Sequence, residues 1–187
     1  MCLTETWHKP GEYSVLNEAC PPGYNYMEKA RSSGRGGGLA IIHRAEIKSP
    51  LPMPEFSSME CLAFKCKPPY SMTVLLIYRP PKPNPSFLPE ISDLLTSLCT
   101  RSTNIVIVGD LNIHVDNPSC QFAADFLSML ECLGLQQHVE VPTHIKGHTL
   151  DLVITDSAPI SNLQVYDIGV SDHKVVTMAL TFMLPYY

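Results

Sequence analysis

The chain has no excess of basic residues. Its 187 residues carry 13 Lys and Arg against 18 Asp and Glu, a formal net charge of -5. Bulk charge therefore leaves no footprint for nucleic acid, so such a contact would need a local basic rim or bound cations. A cysteine framework is absent too. The seven cysteines are an odd number, no CxxC pair occurs, and no Cys/His spacing resembles a zinc site. These features read as reduced thiols in a nuclear or cytoplasmic compartment, most of them core filler. The start, Met1 to His8, lacks the basic and apolar segments of a signal peptide, and no apolar run is long enough to span a bilayer. The expectation is an intracellular protein without membrane contact. No internal repeat and no second domain is visible, and 45% hydrophobic with 17% charged residues fits one globular domain over 1–187.

The residues present are organised around Asn104-Ile105-Val106-Ile107-Val108-Gly109-Asp110-Leu111-Asn112. A continuous β-branched run bounded by a turn signal reads as a strand buried on both faces. Gly109 is expected to turn the backbone, placing Asp110 and Asn112 just past the strand end, where layered α/β folds hold their chemistry. An ordinary Asp-Leu-Asn turn is the plain alternative.

In chain order, Tyr24–Met27 and Leu39–His43 read as short strands. The loop Arg31-Ser32-Ser33-Gly34-Arg35-Gly36-Gly37-Gly38 between them precedes a strand, whereas the phosphate-binding glycine motifs need a helix to follow. It reads as a flexible, solvated hairpin loop, with phosphate contact by its arginines as the second option. Pro50, Pro52 and Pro54 mark a surface connection, followed by strands at Glu60–Cys66 and Met72–Tyr78. Tyr78-Arg79-Pro80-Pro81 then leads to a helix capped by Ser86, with Leu88, Ile91, Leu94, Leu95 and Leu98 on one face. A second helix buries Phe122, Phe126, Leu127, Leu130 and Leu133 and stops at Gly134. Leu135–His148 is expected to be an irregular loop. Its His138, His144 and His148 lack the spacing of a zinc site on one helix. Thr149–Thr155, Leu163–Ile168 and Val175–Phe182 close the chain as strands.

Three strand-end signals stand together: Gly-Asp-Leu-Asn at 109–112, Leu-Asp-Leu-Val at 150–153 and Ser-Asp-His at 171–173. With Thr4-Glu5-Thr6-Trp7, Tyr78-Arg79-Pro80-Pro81 and Gly36-Gly37-Gly38, their order resembles the endonuclease/exonuclease/phosphatase superfamily. The likeness is greatest to the endonuclease domain of non-LTR (LINE-type) retrotransposons, and it extends to about Phe182.

The resemblance implies an α/β fold of the DNase I kind: a four-layer sandwich of two packed β-sheets flanked by helices, with catalytic loops at one end. The activity it implies is magnesium-dependent hydrolysis of a phosphodiester in DNA, with manganese able to replace magnesium and no organic cofactor. By family analogy Asp110 deprotonates the attacking water and Asn112 helps hold the water and the phosphate. His173 contacts a phosphoryl oxygen, and Asp151 fixes its ring and favours its charged form. Tyr78 reaches the phosphate or leaving group. Glu5 and Asp172 are assigned to the metal.

Each residue also has a structural reading: Glu5 as an exposed terminal acid, Tyr78 as a core aromatic, Asp151 with His173 as a satisfied pair, Asp172-His173 as a polar turn. The family's fold begins with a strand ending in asparagine, and this chain starts after that point. The first strand is thus expected to be missing, with nicking activity reduced or absent. Two functions follow as expectations: a retrotransposon-derived DNA-nicking endonuclease, or a non-catalytic remnant that keeps the fold as a binding module. Protein partners are not specified by the sequence.

Overall fold

The computed structural model describes residues 1–31, 34–44, 48–68, 71–156, 158 and 160–181. In chain order its elements are β1 (Cys2–Thr4), α1 (Ser14–Ala19), β2 (Tyr24–Lys29), β3 (Leu39–Arg44), β4 (Lys48–Leu51), β5 (Glu60–Cys66), β6 (Thr73–Tyr78), α2 (Phe87–Arg101), β7 (Ile105–Asp110), α3 (Gln121–Cys132), β8 (Gln136–Gln137), β9 (Asp151–Thr155), β10 (Ile160–Tyr166) and β11 (Val175–Leu180). The expected Ser32, Ser33 and Phe182 lie outside the described residues.

The main sheet has six strands in the order β4-β5-β6-β7-β9-β8. Among its described strands only β6 and β7 run parallel, joined through α2, as a parallel pair requires a crossover. The strand periodicity of two sorts the central side chains onto two faces. From β6, Leu75 and Ile77 join Ile105 and Ile107 of β7 in a core under α2 and α3. Val74, Leu76 and Tyr78 point the other way and pack with Leu39 and Ile41 of β3. This is why β6 and β7 read as unbroken apolar runs: both faces are covered. The covering sheet is β1-β3-β2, and β10 with β11 forms a separate antiparallel hairpin.

Packing, rather than capping, fixes the helices. α2 buries Phe87, Ile91, Leu95 and Leu98, each worth about 1.5–3 kcal/mol on full burial. Leu88 and Leu94 of the expected face are only partly buried. Ser86 makes no side-chain cap. Instead its amide donates to Asn84 Oδ1 at 2.9 Å, an Asx turn that starts the helix. α3 buries Ala123, Phe126 and Leu130.

Two further expectations change. The proline segment is not only a connection, because Pro50 lies in β4, opposite Phe64. It sits in an edge strand, where a missing N–H is tolerated. Residues Gln136–Gln137 of the expected irregular loop pair with β9 as β8. No helix among the described residues is long and apolar enough to cross a membrane.

Candidate active site

Strand direction brings the predicted residues to one end of the main sheet. β6 and β7 are parallel, so Tyr78 and Asp110 finish together. β9 runs back antiparallel, and its register sets Asp151 directly opposite Asp110. Like charges opposed in this way repel, so the pair needs a cation. His173 supplies it. Its Nδ1 is 2.8 Å from Asp151 Oδ2, and its Nε2 is 4.0 Å from Asp110 Oδ2.

Electrostatics follows from this placement. Burial pushes Asp110 up to about 7, and the neighbouring Asp151 and Glu5 add to the rise, while His173 and the Asn112 amide oppose it. The hydrogen bond with Asp151 raises His173 to about 9 against a desolvation penalty. Between those values the carboxylate is ionised and the imidazole is charged, with its Nδ1–H directed at Asp151 and its Nε2–H left for another acceptor.

Asp110 is the last residue of β7, not a residue past its end. Gly109 also acts differently from expectation. It lies inside the strand opposite Leu152, and a Cβ there would come within 1.9 Å of the Ile77 carbonyl oxygen, at φ +140°. Glycine is required for close approach of β7 to β6, rather than for a turn.

Asn112 adopts φ +49°, a left-handed position that asparagine tolerates. Its amide N–H donates to Asp110 Oδ1 at 3.0 Å, and its side-chain NH₂ donates to Asp110 Oδ2 and to the Arg79 carbonyl, both at 2.9 Å. Both side-chain hydrogens are therefore committed, which leaves Oδ1 as the side chain's remaining hydrogen-bonding atom. Arg79, buried between Phe87 and Phe122 with its guanidinium carbon 5.1 and 4.9 Å from the ring centroids, donates to the carbonyls of Leu111 at 3.3 Å and Asn112 at 3.0 Å. Sequence reading gave Arg79 no role. It holds the loop that carries Asn112.

Tyr78 is 2% exposed and belongs to the inter-sheet core. Its hydroxyl donates to Glu5 Oε1, and burial and that acceptor together raise its pKa far above the usual phenol range. Trp7 Nε1 donates to Glu5 Oε2 at 3.2 Å, so both oxygens of Glu5 are oriented. The segment is stitched to the glycine loop by Thr6 N–H to Gly38 O at 3.2 Å and Trp7 N–H to Gly37 O at 3.0 Å. Of the described residues in that loop, Gly34 and Arg35 are exposed as expected, whereas Gly37 and Gly38 are buried. Arg31 pairs with Glu60 and lies 5.5 Å over the Tyr78 ring, and Arg35 lies 5.4 Å over Trp7.

His173 is positioned by a loop that the sequence left irregular. Lys174 N–H donates to Thr143 O at 2.7 Å and Ile145 N–H to Asp172 O at 3.0 Å. Thr143 Oγ1 accepts from the amides of Leu150 and Asp151, both at 3.0 Å. Beside it, His144 Nδ1 accepts from the Lys146 amide at 3.1 Å. The remaining ring nitrogen, Nε2, stands 3.3 Å from Asp172 Oδ2, and the His144 ring meets His173 edge-on at 4.9 Å. Thr143 and His144 carry no motif, and only their contacts reveal them.

The oxygen donors at this end suit a hard dication. Asp151 and Glu5 add to the burial-driven rise of Asp110, and a dication bound at this end would offset that repulsion. The two predicted metal ligands sit apart in this respect: Asp172 joins His144 and His173, whereas Glu5 belongs to none of the converging donor groups among the described residues.

Residues 72–177 match the family model described as endonuclease-reverse transcriptase. No curated protein sequence matches. Among solved structures, the chain is similar to an AP endonuclease from Archaeoglobus fulgidus, with 16% identity, a TM-score of 0.71, and 97% of this chain and 88% of that chain covered. It is also similar to the endonuclease domain of TRAS1, a telomere-specific non-LTR retrotransposon, with 16% identity, a TM-score of 0.63 and coverage of 84% and 78%. Humanized D. rerio TDP2 gives 13% identity, a TM-score of 0.64 and coverage of 97% and 84%. At these identities the likeness is one of fold.

Proposed function

We propose, since this chain belongs to the endonuclease–reverse transcriptase family of the endonuclease/exonuclease/phosphatase superfamily, that it is a metal-dependent phosphodiester hydrolase that nicks DNA and derives from a non-LTR (LINE-type) retrotransposon. The observation that carries the reading is His173 set between two carboxylates, 2.8 Å from Asp151 and 4.0 Å from Asp110.

In this reading Asp110 takes the proton of the attacking water, and its approach to neutrality near pH 7 suits a general base. Asn112 Oδ1 accepts the water's other hydrogen, and the committed NH₂ keeps Asp110 aimed. The Nε2–H of charged His173 donates to a phosphoryl oxygen as negative charge develops. Asp151 holds the ring in that orientation. Tyr78 orients Glu5; of the two acids assigned to the cation, Asp172 is the one that converges with other donors, His144 and His173. Magnesium, or manganese in its place, when bound supplies charge neutralisation at the phosphate and the leaving oxygen.

A non-catalytic, fold-retaining binding module is the second reading. It is favoured by Glu5, both of whose oxygens are already engaged by Tyr78 and Trp7. Plasmid nicking with magnesium separates the two. The first reading expects a rate about 10²–10⁴-fold above the Asp110→Ala and His173→Ala variants; nicking no faster than those variants would sink it.

A further inference from the structure

We infer that His114, Asp116 and His148 form a second metal site, apart from the strand-end cluster, for a transition-metal dication of the zinc class. One donor atom from each residue lies within 4.8 Å of the others. His148 Nδ1 is 3.1 Å from Asp116 Oδ2, and the two imidazole rings meet edge to face at 4.3 Å. The site shares no residue with the Asp110, Asp151 and His173 group.

The arrangement has properties that an incidental surface ion pair lacks. Asp116 Oδ1 accepts the Thr149 amide at 3.0 Å, which fixes the carboxylate and presents Oδ2 to the histidine. Outer contacts of this kind orient metal ligands. Burial pushes Asp116 up, but its hydrogen bonds from Thr149 and His148 prevail and hold it below the ordinary carboxylate range. The side chains of His148 and Asp116 are 40% and 28% exposed, so a cation reaches them from solvent and keeps water at its open positions. Two imidazoles with one carboxylate favour zinc, nickel or cobalt over magnesium, which prefers an all-oxygen shell.

The location gives the site a task. His114 and Asp116 follow Asn112 on the loop between β7 and α3, and His148 precedes Thr149, Leu150 and Asp151 at the start of β9. A cation bound there ties the loop carrying Asn112 to the run carrying Asp151. The histidine spacing along the chain could not show this, because the other two donors, His114 and Asp116, come from a segment about thirty residues earlier in the sequence than His148; only folding joins them.

Calorimetric titration of the intact chain with Zn²⁺ in excess Mg²⁺ tests the assignment. One equivalent of Zn²⁺ is expected to bind the unmutated protein and Asp110→Asn alike, and to bind His148→Ala and Asp116→Asn at least about tenfold more weakly. Substoichiometric Co²⁺ should shift the imidazole proton resonances of His114 and His148 while leaving those of His43 in place, a measurement needing no variant. Absence of zinc binding in the unmutated protein, binding undiminished by both substitutions, or unmoved His114 and His148 resonances would each overturn the site. None of these readouts uses nicking, so the second metal site and the proposed hydrolase stand or fall separately.

Discussion

Asp110 and Asp151 are cross-strand partners in the register of β7 and β9, and His173 bridges them, 2.8 Å from Asp151 and 4.0 Å from Asp110. Two acids side by side on a sheet are unfavourable alone. Burial, with Asp151 alongside, raises Asp110, and the hydrogen bond to Asp151 raises His173.

The first prediction is a pH profile. The Asp110 carboxyl is raised to about 7 and the His173 imidazole to about 9. The rate of nicking is expected to rise as pH passes through about 7, to hold between the two values, and to fall above about 9. Asp151→Asn removes the main cause of the histidine shift, so the alkaline limb should move down toward the unperturbed histidine value of about 6.5. A limb that stays near 9 in that variant would mean that Asp151 does not set the charge of His173.

A second prediction concerns stability. Asp110 has a folded pKa above its unfolded value, so the native state binds the extra proton and stability falls as pH rises from about 4 toward about 7. At pH 8 the folded protein carries the full cost of a buried carboxylate opposite Asp151. Asp110→Asn is therefore expected to abolish nicking and to stabilise the fold at pH 8 by about 1–3 kcal/mol, with the gain vanishing near pH 4. His173 has the opposite sign: its contribution is complete below about pH 6.5 and is lost as pH rises through about 9. Urea melts of both proteins across this range check the prediction, and an unchanged midpoint at pH 8 would contradict it.

A third prediction isolates Gly109. An added methyl group would lie 1.9 Å from the Ile77 carbonyl oxygen, which is backbone and cannot swing aside. Gly109→Ala is expected to cost at least about 3 kcal/mol, and Gly134→Ala, where nothing lies within 4 Å, to cost less, chiefly through its positive φ. Thermal melting of the two variants side by side provides the check.

These contrasts show where the sequence was legible. The apolar runs of β6 and β7 report burial on both faces, because alternate residues feed the two cores, and Gly-Asp-Leu-Asn marks the strand end. Long periodic segments such as α2 were likewise readable. What escaped depended on contacts between distant segments. Gly109 was visible as a glycine, but the reason for it is the Ile77 carbonyl on another strand. The glycine loop looked solvated, yet Gly37 packs against Arg31 and Gly38 against Thr6. Arg79 and Thr143 serve backbone carbonyls and amides more than thirty and about eight residues away in the chain, and hydrogen bonding to backbone leaves no residue-type pattern to read.

The last prediction rests on Thr143, which is fully buried. Its Oγ1 accepts the amides of Leu150 and Asp151, both at 3.0 Å. Thr143→Val keeps shape and volume but leaves two N–H groups without an acceptor, each costing about 1–3 kcal/mol when buried. The expected loss is about 2–6 kcal/mol for valine and much less for Thr143→Ser, which retains the oxygen. Because the Asp151 amide is one of the two, the damage should also reach the histidine. NMR titration of His173 is expected to give a lower pKa in the valine variant than in the serine variant, as Asp151 loses its fixed position. Equal histidine titrations in the two variants, with the stability difference intact, would confine Thr143 to the fold and sever its link to the site.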